Sequence, residues 1–218
     1  MPGVFITFEG IDGCGKSTQL RLLASELRVR GIEVVTTREP GGTPLGQRLR
    51  AALLDVQEQV DPLAELLVFA ADRAQHVRKH LLPAIETNHV VLSDRYADAT
   101  VAYQGAGRGF DPKLIKEIVE LATGGLQPDL TLLFDLSVAE SAVRTRRRVK
   151  SKLTDRLDIE DAEFHTRVRD AYLGIAAADP GRIRIIDARR SVQETHAAVM
   201  DIVMPFLIER GLISDTGQ

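Results

Sequence analysis

Residues Gly10-Ile11-Asp12-Gly13-Cys14-Gly15-Lys16-Ser17 carry the spacing G-x-x-x-x-G-K-[ST]. They stand between an apolar β-type run, Val4 to Phe8, and a helical pattern that starts at Lys16, which is the context a phosphate-binding loop requires. The glycines let the backbone curl until successive N–H groups converge on phosphate oxygens, and the helix N-terminus adds partial positive charge. Lys16 would then reach the β- and γ-phosphates, and the Ser17 hydroxyl would ligate Mg²⁺. A plain glycine turn is the simpler reading of eight residues, and the flanking strand and helix weigh against it.

Further groups of chemistry-bearing residues follow. Thr37-Arg38-Glu39-Pro40-Gly41-Gly42-Thr43-Pro44 is a rigid turn, and a mere connector would not need an arginine beside a fixed proline. Phe69, Arg73 and His76 fall on one helical face, where a ring can stack on a base and an arginine one turn later can donate to its carbonyl edge. Taken alone, Phe69 reads as core and Arg73 as solvated. Asp94-Arg95-Tyr96 follows a buried-type strand, so the carboxylate can anchor a Mg²⁺ water shell and the arginine can bridge phosphates; an isolated Asp-Arg pair is otherwise a surface ion pair. Thr100, Tyr103 and Gln104 come at helical spacing before a flexible loop, Gly105 to Gly109, and offer hydrogen bonds to an amide-like base edge. Arg144 to Arg156 concentrates cations, readable as a nucleic-acid patch or, more economically, as a mobile lid that supplies arginines to a transferring phosphoryl group.

These residues need a scaffold, and the chain alternates strand and helix. Apolar strands are predicted over Val4 to Phe8, Glu33 to Thr37, Val90 to Ser93, Leu130 to Asp135 and Arg182 to Asp187. Helices are predicted from Lys16 to a C′ glycine at Gly31, then over Gly46 to Leu54, Pro62 to Leu82, Lys113 to Ala122, Val138 to Lys150, Phe164 to Ala178 and Val192 to Glu209. The implied architecture is α/β, a five-stranded parallel sheet flanked by helices on both faces, whose ligands lie beyond the strand C-termini. The expectation is one domain, residues 1–218, with the mobile basic lid at about 144–157 and a frayed tail from Ser214 to Gln218.

Composition excludes several classes. The 218 residues are 44% hydrophobic and 27% charged with net charge −3, an ordinary globular balance that argues against coating nucleic acid. Cys14 is the only cysteine, so there is no intrachain disulfide, and its place suggests a small residue that fits under phosphates rather than a catalytic thiol. Neither a membrane span nor a signal-peptide pattern is present, and the expected location is cytoplasmic. Histidines at 76, 80, 89, 165 and 196 lack zinc-site spacing.

Taken together, Phe5 to Thr18, Thr37 to Thr43, Leu67 to His76 and Ser93 to Gly105 resemble the thymidylate kinases, in that family's order, and the basic run and the strand end Ile186-Asp187-Ala188 extend the resemblance to about residue 200. The resemblance implies a P-loop nucleoside monophosphate kinase fold, transfer of a phosphoryl group from ATP to dTMP for dTTP synthesis, Mg²⁺, and a homodimer. It implies that Gly10, Ile11, Asp12, Gly13, Cys14, Gly15, Lys16, Ser17 and Thr18 hold the ATP phosphates, that Ser17 and, through water, Asp94 hold the metal, and that Arg144 and the turn after Asp187 lie near the adenine. For dTMP it implies Asp12 at the sugar 3′-hydroxyl; Arg38, Arg50 and Arg95 around the phosphate; Pro40 beside base and sugar; Phe69 stacked on thymine; Arg73 on its carbonyl; Thr100 and Gln104 on the remaining base edge; and Tyr103 crowding the 2′ position. Lys16 and Arg95, with a lid arginine such as Arg148 or Arg156, are the expected catalytic groups. Some members carry an arginine where this chain has Gly13, so this chain resembles the subtype, typical of many bacterial enzymes, whose arginine comes from the lid.

Two other classes stay in view. A GTP switch needs an N-K-x-D guanine reader, and the single asparagine, Asn88, is followed by His89. A kinase for another small molecule is the remaining alternative, disfavoured by the Phe69 and Arg73 pair with Tyr103 and Gln104.

Overall fold

A computed structural model describes residues 3–54, 59–87, 89–149 and 160–213. Strands β1 (Val4–Glu9), β2 (Val34–Arg38), β3 (Val90–Asp94), β4 (Leu130–Asp135) and β5 (Ile183–Asp187) form one sheet of order β2-β3-β1-β4-β5. Every pairing is parallel. Each strand lies within one residue of its predicted bounds, because continuous apolar runs are what a sheet covered on both faces demands. From β1 the chain crosses beyond β3 to form β2, returns to β3, then continues on the other side of β1. The loop after β1 therefore sits at the point where strand order reverses, where open α/β sheets bind ligands.

The period-2 alternation of β1 divides its side chains between two cores. Val4, Ile6 and Phe8 pack with Leu20, Leu23 and Leu27 of α1 (Lys16–Val29) and with Val199, Val203 and Leu207 of α9 (Val192–Glu209). Phe5 faces the opposite layer, against Val77, Leu81 and Tyr96. That layer continues in Phe164, Val168 and Tyr172 of α8 (Ala162–Ala178), which pack on Leu133 of β4. Glu9 follows the parity of Phe5 and Thr7, so the strand delivers a carboxylate to this second layer, wholly buried.

The remaining helices are α2 (Pro44–Leu54), α3 (Pro62–His76), α4 (Leu82–Glu86), α5 (Ala97–Thr100), α6 (Pro112–Thr123) and α7 (Val138–Val149). Two departures from the predicted elements each involve a π turn. The helix expected over Pro62 to Leu82 runs on to Glu86 through a wide π turn, Val77–Leu81, just before Pro83. Proline lacks the N–H that an α turn would use there, and a π turn absorbs the misfit. The loop expected over Gly105 to Gly109 is helical as far as Gly107, in a second π turn, Val101–Gly107, closed by the Arg108 N–H on the Tyr103 carbonyl at 2.9 Å. A Cβ on Gly107 would lie 2.7 Å from the Phe164 ring, so glycine here lets α8 approach rather than loosening the chain. Among the described residues no helix is long and apolar enough to cross a membrane. Residues 150–157 of the expected lid, with Arg156, and the tail from Ser214 lie outside the described residues; Arg148 is described only as backbone near the end of α7.

Candidate active site

The loop after β1 turns on Gly10, Gly13 and Gly15, with φ of +132°, +74° and +100°. Gly15 caps α1 with its backbone alone, and no side chain satisfies the first N–H groups of that helix, which leaves them directed at the loop's hollow. The Lys16 ammonium donates to the Gly10 and Ile11 carbonyls, both at 3.0 Å, and lies 3.6 Å from Cys14 Sγ. Cys14 is buried and Thr18 half-buried, while the exposed Ser17 hydroxyl donates to Asp94 Oδ2 across the sheet. A hydroxyl and a carboxylate brought together beside the loop suit a hard cation that prefers oxygen ligands. The root of the basic run leans on the same loop. Ser141 of α7 donates to the Asp12 carbonyl at 2.6 Å, and a Cβ on Gly13 would sit 2.9 Å from Thr145 Oγ1 and 3.3 Å from Arg144 Cβ.

Arg95 joins this loop to the rest of the site. It is the only non-glycine residue at positive φ among those described, +74°, immediately beyond β3. Its guanidinium donates to the Gly10 carbonyl at 3.1 Å and to Asp12 Oδ1 at 2.8 Å, and its carbon lies 4.8 Å from the centre of the Tyr103 ring. The Tyr103 hydroxyl completes the triangle by donating to Asp12 Oδ2 at 3.2 Å. Glu9 holds the turn from below. Its carboxylate accepts from the Tyr96 N–H at 2.6 Å and the Tyr172 hydroxyl at 2.7 Å, and that hydroxyl is 3.4 Å from Arg95. Burial, reinforced by Asp98 and opposed by Arg95 and the two hydrogen bonds, pushes the Glu9 carboxyl up to about 8.

Beyond Arg95, α3 and the α5–π segment are bridged by side chains. Residues 65, 69 and 73 share one face of α3 at four-residue spacing, and residues 65 and 73 reach 100, 104 and 108, which repeat that spacing opposite. Arg73 spans one end: it donates to Glu39 Oε2 at 2.8 Å, to Thr100 Oγ1 at 2.7 Å and to the Tyr96 carbonyl at 2.9 Å. Glu65 spans the other, accepting from Gln104 Nε2 at 3.0 Å and from Arg108. Half-buried Phe69 lies between them. Arg73 is 3% exposed, the reverse of the solvated residue its helical setting suggests.

Behind Arg73, Glu39 Oε1 pairs with His76 Nδ1 at 2.8 Å, and His76 Nε2 meets Thr37 Oγ1 at 2.7 Å. Burial would raise the Glu39 carboxyl, but Arg73 and His76 override it and hold it below its ordinary value. Asp72 accepts from the Gly41 N–H at 3.1 Å while its Oδ2 has no hydrogen-bond partner; burial, with Glu39 nearby, raises it to about 6. Pro40 is buried after a cis peptide, and Arg50 folds over it, its Nη1 3.4 Å from the Pro40 carbonyl. Arg38 is exposed at the end of β2, in register with Asp94. Arg144 is half-buried on α7, and the Asp187 carboxylate pairs with Arg189 at 2.9 Å in the turn after β5.

The structure thus gathers Lys16, Ser17, Asp94, Arg95, Asp12 and Tyr103 at one end and Phe69, Arg73, Thr100 and Gln104 at the other. Sequence reasoning missed Glu9, Glu39, Glu65 and Asp72, the carboxylates that hold those residues in place. Glu9 had a signal: like Asp94, it ends a buried strand.

A five-stranded parallel sheet with a glycine loop after its central strand, and one arginine that links that loop to the π segment, has the plan of a P-loop nucleoside monophosphate kinase, and the fold is of that class. Comparison narrows the class. Residues 8–199 match the family model described as thymidylate kinase. A thymidylate kinase of Geotalea uraniireducens is 47% identical over 211 residues, 95% of this chain and 99% of the relative. One from Deinococcus radiodurans is 48% identical over 90% of this chain and 94% of its own length. The crystal structure of thymidylate kinase from Ehrlichia chaffeensis superposes with a TM-score of 0.76 at 35% identity, covering 94% of this chain and all of that one. The chain belongs to the thymidylate kinase family.

Proposed function

We propose that the chain is an ATP-dependent dTMP kinase in which the loop after β1 takes the ATP phosphates and the slot between α3 and the α5–π segment takes thymine. The observation that carries this reading is Arg95, whose guanidinium touches both the phosphate loop, at Gly10 and Asp12, and the Tyr103 hydroxyl of the π segment, at 3.1 Å. One cation then spans donor and acceptor phosphates. An oxygen of the dTMP phosphate attacks the γ-phosphorus, the bond to the β–γ bridging oxygen breaks, and ADP leaves with that electron pair. The acceptor is already an anion, so no general base is needed. Catalysis consists of alignment and neutralisation of charge by Lys16 and Arg95.

Arg38 and Arg50 serve the acceptor phosphate, Asp12 the 3′-hydroxyl, and Pro40 the base and sugar side. Tyr103 stands where a 2′-hydroxyl would need room. Phe69 stacks on the base, while Arg73 donates to its carbonyl and Thr100 and Gln104 read the rest of its edge. Ser17 and Asp94 would hold Mg²⁺, which supplies charge neutralisation on the phosphates when bound. Arg144 and the turn after Asp187 serve the adenine, and a lid over 144–157 brings Arg148 or Arg156 to the transferring group. A homodimer in the cytoplasm completes the reading, supported by exposed Leu63 and Leu67 on α3 and Leu114 and Leu121 on α6; sedimentation tests the assembly.

The functional test is coupled ADP release with ATP, Mg²⁺ and dTMP, dUMP, dCMP, UMP or dGMP. Turnover with dTMP, and weaker turnover with dUMP, is expected. Equal turnover with dCMP would remove the base assignments.

A further inference from the structure

On the reading of the α3 slot as the thymine site, we infer that Glu65, clamped by Arg108, is a positioning residue that sets base specificity. It fixes the Gln104 amide with its oxygen toward the ring N–H of thymine. Glu65 is 1% exposed and lies one helical turn before Phe69, on the face that presents Phe69 and Arg73 to the slot. The Gln104 nitrogen is 3.0 Å from Glu65 Oε1. A carboxylate only accepts hydrogen bonds, so the end of the amide that faces it must be NH₂, and the carbonyl end is the one that can turn to the base.

The carboxylate cannot turn away, because Arg108 holds both its oxygens, Nε to Oε1 at 3.2 Å and Nη2 to Oε2 at 3.1 Å. Arg108 is itself fixed by Glu160 at 2.7 Å and by the Phe164 ring, 4.9 Å from its guanidinium carbon. Thymine carries a hydrogen on N3 where cytosine carries a lone pair. A fixed acceptor attracts the first and opposes the second, and a free amide would flip to suit either.

The test is steady-state kinetics with dTMP and dCMP for wild type, Glu65→Gln, Gln104→Leu and the double variant, with Tm recorded for each. A glutamine at 65 can donate to Gln104, which frees its amide to flip. Glu65→Gln should raise KM for dTMP about 3- to 10-fold, the worth of one neutral hydrogen bond, with kcat little changed. The dTMP-to-dCMP ratio of kcat/KM should narrow by a similar factor. In the Gln104→Leu background the same change should do nothing further, since Glu65 acts through that amide. An unaltered ratio, or an effect that adds to that of Gln104→Leu, overturns the proposal. Arg108→Lys, which keeps the charge and loses the fork, should narrow the ratio in the same direction, and serves if Glu65→Gln lowers Tm too far to assay. Arg73→Ala with unchanged KM for dTMP would instead remove the base slot itself, and the proposal with it.

Discussion

The two ends of the site are held by different means. At the glycine-loop end, the loop's geometry resides in the main chain: three glycines at positive φ, a helix N-terminus and the left-handed turn at Arg95 shape it, and Lys16 rests on backbone carbonyls. At the Arg73 end, side chains hold one another, with Arg73, His76, Glu39, Thr37 and Thr100 in one network. Lys16 can therefore be removed at the expense of chemistry alone, whereas removal of Arg73 also costs the fold.

Arg73→Ala should break this contrast if it is wrong. It leaves the buried Glu39 carboxylate without its guanidinium, so a loss of about 3–5 kcal/mol in denaturant unfolding is expected together with a raised KM for dTMP. Lys16→Ala should lower kcat on the order of 100- to 1,000-fold and leave Tm within a few degrees, as activity and melting curves on one preparation would show.

Asp72 sharpens the comparison through pH. Its native carboxyl, raised to about 6, keeps its proton to higher pH than in the unfolded chain. The native state therefore binds more protons between about pH 4 and pH 6, and stability relative to Asp72→Asn should fall across that window and level off above it. The change should be on the order of 2 kcal/mol, read from Tm against pH for both proteins. The smallest effect is expected where a side chain caps only its own helix. Asp61 accepts from the Leu63 and Ala64 N–H groups at 2.9 and 3.2 Å, and Asp61→Ala should cost about 1 kcal/mol without altering dTMP specificity.

The same contrast decides what could be read from the chain before folding. Main-chain devices leave local signatures, so the glycine loop, the strand ends and the order of elements were legible, and the strands lie within one residue of expectation. The side-chain network leaves none. Glu39 stood between Arg38 and Pro40, both singled out, yet its partner Arg73 is 34 residues away. Glu65 and Gln104 are 39 apart. Periodicity put Phe69 and Arg73 on one face but could not show that Arg73 would be buried, since that depends on a carboxylate from another element. The Gly105 to Gly109 segment misled for a related reason: Gly107 serves the packing of α8, and composition alone cannot distinguish that from a loop.

The close approach of α7 to Gly13 restricts how this chain could change over evolutionary time. Any side chain at that position meets Thr145 and Arg144, at the root of the basic run. A lineage that placed any side chain there would first have to shift α7 away from the loop, so the identity of residue 13 is tied to the packing of a helix more than 120 residues further along the chain.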